Sequence, residues 1–372
     1  MFGGQAAQSC PLYERPGSAG LRGSRKPRTG PSVGRRDFDR MPFSEERLMR
    51  KLRTALASSS GRHGSVRLGI GDDAALFSPA RGHDSVASCD WFIEGVHFLR
   101  DKHPPESVGW KCLARALSDL AAMGASPRYF LLSLAFPREL TKTRWLDAFF
   151  EGLRRASRRL ECVCAGGDTT RSQKILISVT VVGEVRSGRA VQRADAKVGD
   201  IICVSGTLGE AQWGLEQLLS SRRPSSVRLK RDLRKHFFPQ PRIALGEWLA
   251  ERQLATAMMD ISDGLSTDLR RLCSASGVGA IIDSRKLPSP ALPGANARAS
   301  RKALKLALHG GDDYELLFTV SPKKLRYISR RHRGLPITAI GTVTRSREIL
   351  LTRDGTRTEP LQPAGWDPFR AG

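Results

Sequence analysis

The stretch Leu68-Gly69-Ile70-Gly71-Asp72-Asp73-Ala74-Ala75-Leu76 places two adjacent carboxylates on a glycine-containing turn, directly after a strand-like run at 65–68. Neighbouring aspartates repel each other unless a cation lies between them, and the glycines let the backbone approach whatever binds there. The Gly-x-Gly-x-x-Ala spacing also matches a dinucleotide-binding fingerprint, but Asp72 and Asp73 would repel a pyrophosphate. Because a single Gly-Asp turn is common, its meaning depends on whether the pattern recurs.

Aspartate beside glycine does recur where strand-like runs end, and none of these motifs contains a cation. The positions are Asp72-Asp73, Asp168, Asp260-Asp263 and Asp312-Asp313, with Asp90 and Asp119 between them. Oxygen ligands of this kind suit hard cations, above all Mg²⁺. Several Mg²⁺ ions together imply polyphosphate chemistry, and the chain has no Walker A sequence, so it is not a P-loop kinase. The residues alone predict a magnesium-dependent α/β enzyme that uses ATP or handles phosphate.

The composition is typical of a globular protein with about two domains, since 40% of the 372 residues are hydrophobic and 26% are charged. The sequence contains no apolar run long enough to cross a membrane, and its N-terminus lacks the apolar region of a secretory signal. The seven cysteines are odd in number and have no CxxC spacing. We therefore expect no disulfide framework and no zinc site, and a reducing cytoplasm fits best.

The net charge of +24 allows two interpretations. Clustered lysine and arginine would indicate nucleic-acid binding. Here the basic residues are spread along the chain, and aromatic residues for stacking on single strands make up only 6%. A surface suited to anionic substrates is the favoured interpretation, and a basic nucleic-acid-binding protein stays open as an alternative.

Strand-like and helix-like segments alternate, which predicts an α/β (α+β) protein with two layers in each half. We predict a disordered basic extension at 1–40, an N-terminal domain at 41–195 and a C-terminal α/β domain at 196–372. A transit peptide, or a natural start at Met41, would also account for the extension. Helices are predicted at 42–58, 106–123, 141–160, 243–252, 265–276 and 301–309. Strands are predicted at 65–68, 84–90, 129–136, 161–170, 175–185, 200–204, 255–259, 314–320, 341–345 and 349–352.

Six motifs together resemble thiamine-monophosphate kinase from about residue 43 to the C-terminus. They are Gly69-Ile70-Gly71-Asp72-Asp73-Ala74-Ala75-Leu76, Glu94-Gly95-Val96-His97-Phe98, Leu117-Ser118-Asp119-Leu120-Ala121-Ala122-Met123-Gly124-Ala125, Gly166-Gly167-Asp168-Thr169-Thr170-Arg171, Ile261-Ser262-Asp263-Gly264-Leu265 and Gly310-Gly311-Asp312-Asp313-Tyr314-Glu315-Leu316. The Gly-Asp-Asp motif alone resembles only the wider superfamily of aminoimidazole-ribonucleotide synthetase and selenophosphate synthetase. A different ATP-using reaction of that superfamily is the second alternative.

The resemblance implies a two-domain synthetase-like fold, with an N-terminal mixed sheet and helices forming a barrel shared across a homodimer and a C-terminal α/β sandwich. The N-terminal domain would bind Mg²⁺ and ATP and would mediate dimerisation. The implied reaction converts ATP and thiamine monophosphate to ADP and thiamine diphosphate. Transfer would be direct, in line and Mg²⁺-assisted, without a covalent nucleophile. The implied enzyme is cytoplasmic and has no membrane partner.

The resemblance also assigns site residues by position. The metal ligands would be Asp73, Ser88, Cys89, Asp90, Asp119, Asp168, Asp260 and Asp263. ATP would contact Gly167, Asp168, Arg193 and Ser262, and thiamine monophosphate would contact His97, Asp312 and Trp366. A buried structural histidine and a capping core residue are the alternative interpretations of His97 and Trp366.

Four departures from the family pattern affect these assignments. Cys89 stands where threonine is common, and its thiol is a poor Mg²⁺ ligand. Trp91 replaces a small residue, and Arg115-Ala116 replaces a usual Val-Asn pair. Asp312 stands where glutamate is frequent, which shortens its reach by one methylene. We expect these exchanges to change affinity more than the class of reaction.

Overall fold

The structure is a computed structural model, and it describes residues 54, 66–68, 74–220, 233–294, 296–353 and 357–369. The extension at 1–40, the Gly-Asp-Asp turn with Asp73, and the helix predicted at 42–58 apart from Thr54 lie outside the described residues. The strand predicted before that turn is present as β1 (Val66–Leu68), and it pairs antiparallel with β2 (Leu76–Phe77).

The first large sheet has the strand order β3-β6-β4-β5. Its strands are β3 (His83–Ile93), β4 (Ser126–Phe136), β5 (Val163–Arg171) and β6 (Leu176–Arg186). Only β4 and β5 pair in parallel; β3 with β6 and β4 with β6 are antiparallel. Helix α1 (Pro105–Ala122) packs on β3 and β6, and helix α2 (Trp145–Arg159) packs on α1. The helices therefore cover one face of this sheet.

The backbones of α1 and α2 are in direct contact at two glycines. A Cβ atom on Gly109 would lie 2.0 Å from the carbonyl oxygen of Phe149, and one on Gly152 would lie 1.9 Å from that of Glu106. No other residue type fits at this crossing without moving a helix.

The start predicted for helix α2, at Thr141, is wrong. Residues Arg138–Lys142 form a 3₁₀ turn instead, and Thr143 is extended. The hydroxyl of Thr143 accepts a hydrogen bond from the Trp145 N–H at 3.2 Å. This bond satisfies one of the free N–H groups of a helix start, so α2 begins at Trp145.

Within the described residues, the second large sheet has the strand order β14-β13-β9-β12-β7-β10-β8, with β11 paired to β12. Its strands are β7 (Ile201–Ser205), β8 (Ala255–Ile261), β9 (Gly279–Asp283), β10 (Glu315–Val320), β11 (Arg331–His332), β12 (Leu335–Thr344), β13 (Ile349–Thr352) and β14 (Thr358–Pro360). The associated helices are α3 (Glu210–Leu219), α4 (Ile243–Glu251), α5 (Leu265–Ser276), α6 (Ala297–His309) and the short α7 (Pro322–Leu325). Apolar side chains are buried on both faces, against α5 and α6 on one side and against α4 on the other. The mixed α/β fold class predicted from the sequence is confirmed, whereas the shared barrel and the domain boundary near residue 195 stay predictions.

Among the boundaries in the described residues that differ from the sequence prediction, those of β8 and α6 have a clear physical reason. Strand β8 continues to Ile261 because β10 pairs with it through Leu316 and Glu315, so Asp260 lies inside the strand and not after it. Strand β5 runs through the Gly-Gly-Asp motif as predicted, and β4 pairs with it as far as Arg171. Helix α6 begins four residues before the predicted start, where the side chain of Asn296 accepts a hydrogen bond from the Ala299 N–H at 2.9 Å.

Helix α1 lies between the two large sheets and is buried along most of its length. Its last turn touches α4, where a Cβ atom on Gly246 would lie 2.0 Å from the carbonyl oxygen of Ala121. Gly124, with φ +71°, ends the helix as predicted. Charged residues on α1 are therefore presented to both halves of the protein. Among the described residues, no helix combines the length and apolarity needed to cross a membrane.

Candidate active site

A cavity of about 1170 Å³ is lined by residues from both halves of the chain. Eight residues with predicted site roles line it together: Asp90, His97, Asp119, Asp260, Ser262, Asp263, Asp312 and Trp366. They come from strands, helices and loops that are up to 276 positions apart in the sequence. The cavity is therefore the place where four of the six motifs converge.

Three charged residues of α1 form one stripe along the helix. Lys111, Arg115 and Asp119 are spaced four residues apart, so their side chains lie on the same face. The Lys111 Nζ atom lies 2.6 Å from Oδ2 of Asp312, and the Arg115 Nε atom lies 3.2 Å from Oδ2 of Asp90. The Ser88 hydroxyl donates a hydrogen bond to the Asp119 carboxylate. Helix α1 thus contacts acidic residues from both halves of the protein.

Asp90, Asp119 and Asp260 form a group of mutually repelling carboxylates. Burial raises the pKa of Asp260 to about 8, and the charge of Asp119 adds to this rise. Burial also raises the pKa of Asp119; Asp90 adds to the effect, while the Ser88 hydrogen bond and the charge of Arg193 oppose it. An oxygen-only group of this kind fits a hard divalent cation such as Mg²⁺.

This group of carboxylates is not a complete metal-binding site by itself. Within the described ranges, no three carboxylate, imidazole or thiol side chains converge closely enough to hold a metal ion by themselves. Asp73, the remaining acid predicted from the Gly-Asp-Asp turn, lies outside the described residues. The carboxylates at the cavity would therefore need water or phosphate oxygens to complete the coordination of a cation.

The buried carboxyl group of Asp260 predicts a pH dependence of stability in metal-free protein. Because the pKa of Asp260 is about 8 in the folded state against 3.8 ordinarily, folded protein holds this proton and unfolded protein releases it between these values. This group therefore makes the free energy of unfolding fall as the pH rises from about 4 to about 8. We expect Asp260→Asn to remove that slope.

The measurement is thermal unfolding in EDTA between pH 5 and pH 8. The melting temperature of Asp260→Asn minus that of wild type should become more positive as the pH increases. Asp195→Asn, at an exposed position, is the matched control and should give a flat difference. A flat difference for Asp260→Asn as well would contradict the assignment.

Asp312 carries a fixed negative charge at the other end of the cavity. Burial opposes its ionisation, but the adjacent Lys111 ammonium outweighs burial and holds the pKa of Asp312 below its usual range. The Tyr314 hydroxyl donates a hydrogen bond to Oδ1 at 2.8 Å, and Nδ1 of His236 lies 3.6 Å from Oδ2. Lys111 itself is 1% exposed, so a buried ammonium group holds the partly exposed carboxylate of Asp312.

The two aspartates of the Gly-Gly-Asp-Asp motif have different roles. Asp312 lines the cavity, whereas the carboxylate of Asp313 accepts hydrogen bonds from the N–H groups of Gly209 at 2.5 Å and Ala211 at 3.2 Å, where α3 begins. The backbone on both sides of Asp313 is strained, since Asp312 has φ +67° and Tyr314 has φ +51°. Such conformations cost on the order of 1–3 kcal/mol each and concentrate at functional sites.

His97 and Trp366 form an aromatic wall near Asp312. Their ring centroids are 5.7 Å apart. Nδ1 of His97 accepts a hydrogen bond from the Ile93 N–H at 3.0 Å, and burial, with help from the charge of Arg115, lowers the pKa of His97 to about 4. The imidazole is therefore neutral near pH 7. Trp366 is 44% exposed, and its backbone N–H donates a hydrogen bond to the backbone carbonyl of Asp263 at 2.9 Å, so the C-terminal segment is fixed at the cavity.

The sequence analysis missed Asp268, which holds the Ile-Ser-Asp-Gly loop in place. Its Oδ2 accepts hydrogen bonds from the N–H groups of Ser262, Asp263 and Gly264, all within 3.1 Å. Nη1 of Arg271 lies 2.5 Å from Oδ2 of Asp263 and 2.8 Å from Oδ1 of Asp268. An aspartate in the first turn of a helix is a known partner for free N–H groups, and this signal could have identified Asp268.

Lys111 and Arg115 were also given no site role from the sequence. Their signal was present, because two long basic side chains interrupt an otherwise apolar helix at an interval of four residues. Charged residues are rarely buried without a partner. Their partners, Asp312 and Asp90, come from other segments and could not be identified from α1 alone.

Five predicted site residues do not line the cavity. They are Ser88, Cys89, Gly167, Asp168 and Arg193. The Ser88 hydroxyl donates a hydrogen bond to the carboxylate of Asp119, which does line the cavity. The charge of Arg193 is close enough to lower the pKa of that carboxyl.

Cys89 and Asp168 lie on the first sheet, away from the cavity. Cys89 is exposed, with its thiol 3.4 Å from the Ser178 hydroxyl. Asp168 on β5 is in register, through β4 and β6, with Trp91 on β3. Three strand spacings, about 14 Å, therefore separate Asp168 from β3. The roles assigned to these five residues stay predictions.

Comparison with known proteins identifies the relatives of the chain. The family described as AIR synthase related protein matches with its N-terminal domain at residues 71–185 and its C-terminal domain at residues 197–352. Thiamine-monophosphate kinase of Bacillus subtilis is 35% identical over 317 residues, which cover 83% of this chain and 95% of the relative.

Two solved structures are similar along nearly their whole length. Thiamine-monophosphate kinase from Stenotrophomonas maltophilia K279a superposes with a TM-score of 0.72 at 36% identity, covering 84% of this chain and 97% of that one. AaThiL complexed with AMPPCP and TMP superposes with a TM-score of 0.67 at 34% identity, covering 87% of this chain and 97% of that one.

Proposed function

Since the chain belongs to the thiamine-monophosphate kinase family of AIR synthase related proteins, we infer that its cavity is where ATP phosphorylates thiamine monophosphate to thiamine diphosphate. The convergence of eight predicted site residues on that one cavity supports this site most directly. The cavity has carboxylates for a metal-bound nucleotide at one end and an aromatic wall with a fixed negative charge at the other. These two ends match the two substrates.

His97, Asp312 and Trp366 would bind thiamine monophosphate. Its thiazolium ring is a planar cation, and Trp366 offers a flat π-surface beside the charge of Asp312. The buried Lys111 keeps Asp312 ionised over the working pH range. The neutral imidazole of His97 adds a hydrogen-bonding group without repelling the ring. This end of the cavity therefore favours a planar, positively charged acceptor.

The carboxylates of Asp90, Asp119 and Asp260, joined by Asp73 and Asp263, would hold Mg²⁺ with the phosphates of ATP. Bound Mg²⁺ would neutralise phosphate oxygens and hold them in position for transfer. Arg193 and Ser262, with Gly167 and Asp168, are proposed ATP contacts. Asp268 has a supporting role, because it fixes the loop that carries Ser262 and Asp263.

The transfer needs no covalent intermediate on the protein. The attacking group is a phosphate oxygen of thiamine monophosphate, which is already ionised near pH 7. It forms a bond to the γ-phosphorus of ATP while the bond from that phosphorus to the β–γ bridging oxygen breaks, and ADP leaves with the electron pair. The task of the protein is to bring two anions together and keep them aligned.

Purified protein tests the function directly. With ATP and Mg²⁺ it should convert thiamine monophosphate to thiamine diphosphate, and EDTA should abolish the conversion. Other phosphorylated acceptors, including the substrates of the related synthetases, should give little product. Tight binding of Mg²⁺ and ATP without any turnover of thiamine monophosphate would count against the proposed reaction.

A homodimer is supported by the open face of the first sheet. Ala87, Cys89 and Trp91 point away from the helices along β3, and Trp91 is 55% exposed. A second copy of the chain could cover this face, with the two sheets forming the shared barrel. Sedimentation should give about twice the 40.8 kDa of one chain.

Trp91→Glu should shift the protein towards monomer by placing a charge in the interface. Tyr327→Glu, at a similarly exposed aromatic residue of the C-terminal half, should leave the mass unchanged. A monomeric wild type would overturn this part of the proposal.

A cytoplasmic location is proposed as well, supported by the free thiols of the described cysteines and by the need for ATP.

A further inference from the structure

Arg115 occupies the middle of the cavity, between the carboxylate group and the acceptor end. Its Nε atom lies 3.2 Å from Oδ2 of Asp90, and its guanidinium carbon lies 5.4 Å from the centre of the Phe92 ring. Its charge helps to lower the pKa of both His97 and Asp312. Arg115 therefore acts on groups at both ends of the cavity.

The contact with Asp90 uses only part of the guanidinium. Among the described residues, Nε alone has a hydrogen-bond partner, which leaves the donors of Nη1 and Nη2 for another group. The side chain is 14% exposed and lines the cavity. Arg115 therefore lines the space where substrate would lie and has donors that the contact with Asp90 does not use.

The position of Arg115 also matters for the electrostatic repulsion between the substrate phosphate and the aspartates. Thiamine monophosphate brings a negative phosphate towards a group of aspartates, and these would repel it. The other cations among the described lining residues, Arg301, Lys302 and Lys305, are exposed on α6. Arg115 is the least exposed of these four lining cations, so it is the one placed to offset this repulsion.

We propose that Arg115 binds the phosphate of thiamine monophosphate through its terminal nitrogens, while the Nε contact with Asp90 holds the guanidinium in orientation. A planar guanidinium presents paired N–H donors that match two phosphate oxygens. Arg115 would thus hold the attacking phosphate beside the metal-binding carboxylates. This inference rests on the proposed function and adds a specific residue to it.

The experiment compares the binding of thiamine monophosphate with that of thiamine, which lacks the phosphate. Calorimetry on full-length Arg115→Met should show an affinity for thiamine monophosphate reduced by about 10- to 100-fold, with the affinity for thiamine nearly unchanged. Arg115→Lys keeps the charge without the planar donors and should recover part of the loss. KM for thiamine monophosphate should rise in parallel, and KM for ATP should stay as in wild type.

Arg128→Met is the matched control. Arg128 is also partly buried and paired with a carboxylate, since its Nε lies 3.1 Å from Oδ2 of Glu184, but it does not line the cavity. It should bind both ligands as wild type does. If Arg115→Met does not fold, Arg115→Lys still decides, because a weakened preference for thiamine monophosphate over thiamine is expected there too.

Two results would overturn the inference. One is an unchanged affinity of the Arg115 variants for thiamine monophosphate. The other is an equal loss for both ligands, which would mean that Arg115 only supports the cavity wall. Failure of the proposed function would look different, because wild-type protein itself would then form no thiamine diphosphate.

Discussion

Asp119→Asn is expected to abolish phosphoryl transfer while leaving the protein folded. Asp119 adjoins Asp90 and Asp260, and its carboxylate is held by the Ser88 hydroxyl. Asparagine keeps the shape but removes the charge that a bound Mg²⁺ requires. We expect kcat for thiamine diphosphate formation to fall by about a thousandfold, which corresponds to about 4 kcal/mol.

The stability of this variant provides the diagnostic contrast. Burial raises the pKa of Asp119, so ionisation of this group opposes folding, and Asp119→Asn should melt at the same temperature as metal-free wild type or higher. Mg²⁺ should stabilise wild type more than the variant. Asp101→Asn, at an exposed position, should keep full activity. A folded Asp119→Asn enzyme with wild-type kcat would exclude Asp119 from the metal site.

Gly152→Val should destabilise the protein severely without touching the cavity. A Cβ atom at this position would lie 1.9 Å from the carbonyl oxygen of Glu106, which is far inside contact distance. Helices α1 and α2 would have to separate, and close-packed interiors do not yield easily. We expect a loss of about 3 kcal/mol or more in the free energy of unfolding, measured by urea titration.

A second substitution separates the clash from the intrinsic cost of valine in a helix. Arg158→Val places the same residue at an exposed position of α2 and should cost only a few tenths of that amount. Because α1 also carries Lys111, Arg115 and Asp119, partially unfolded Gly152→Val should lose substrate binding together with its helical packing. Equal urea midpoints for the two variants would contradict the direct backbone contact.

The sequence predicted most of the elements that hold the site because their patterns are local. The apolar stripe of α1 and its glycine stop identify that helix, and the alternation of β3 identifies that strand. The recurring aspartates indicated that a cation site is assembled from distant motifs. Asp90, Asp119 and Asp260 do line one cavity, and the cation site itself stays a prediction.

The parts that could not be predicted depend on partners far apart in the chain. Lys111 pairs with Asp312 across 201 positions, and nothing near either residue reveals the other. The Gly-Gly-Asp-Asp motif does not show which aspartate faces the cavity, because that choice follows from the left-handed backbone at Asp312 and Tyr314. The position of Asp260 inside β8 depends on pairing with β10, which is a property of the sheet and not of the segment.

Helix α1 has a consequence for how this chain can vary. Lys111 and Asp119 are eight residues apart on one stripe, which fixes about 12 Å along the helix axis between the acceptor end and the carboxylate end of the cavity. One inserted or deleted residue between them would turn one end by about 100° relative to the other. Loops elsewhere can lengthen or shorten without this effect. The interval 111–119 therefore fixes the distance between the two substrate-binding ends. It can accept exchanges of side chains but no change in length.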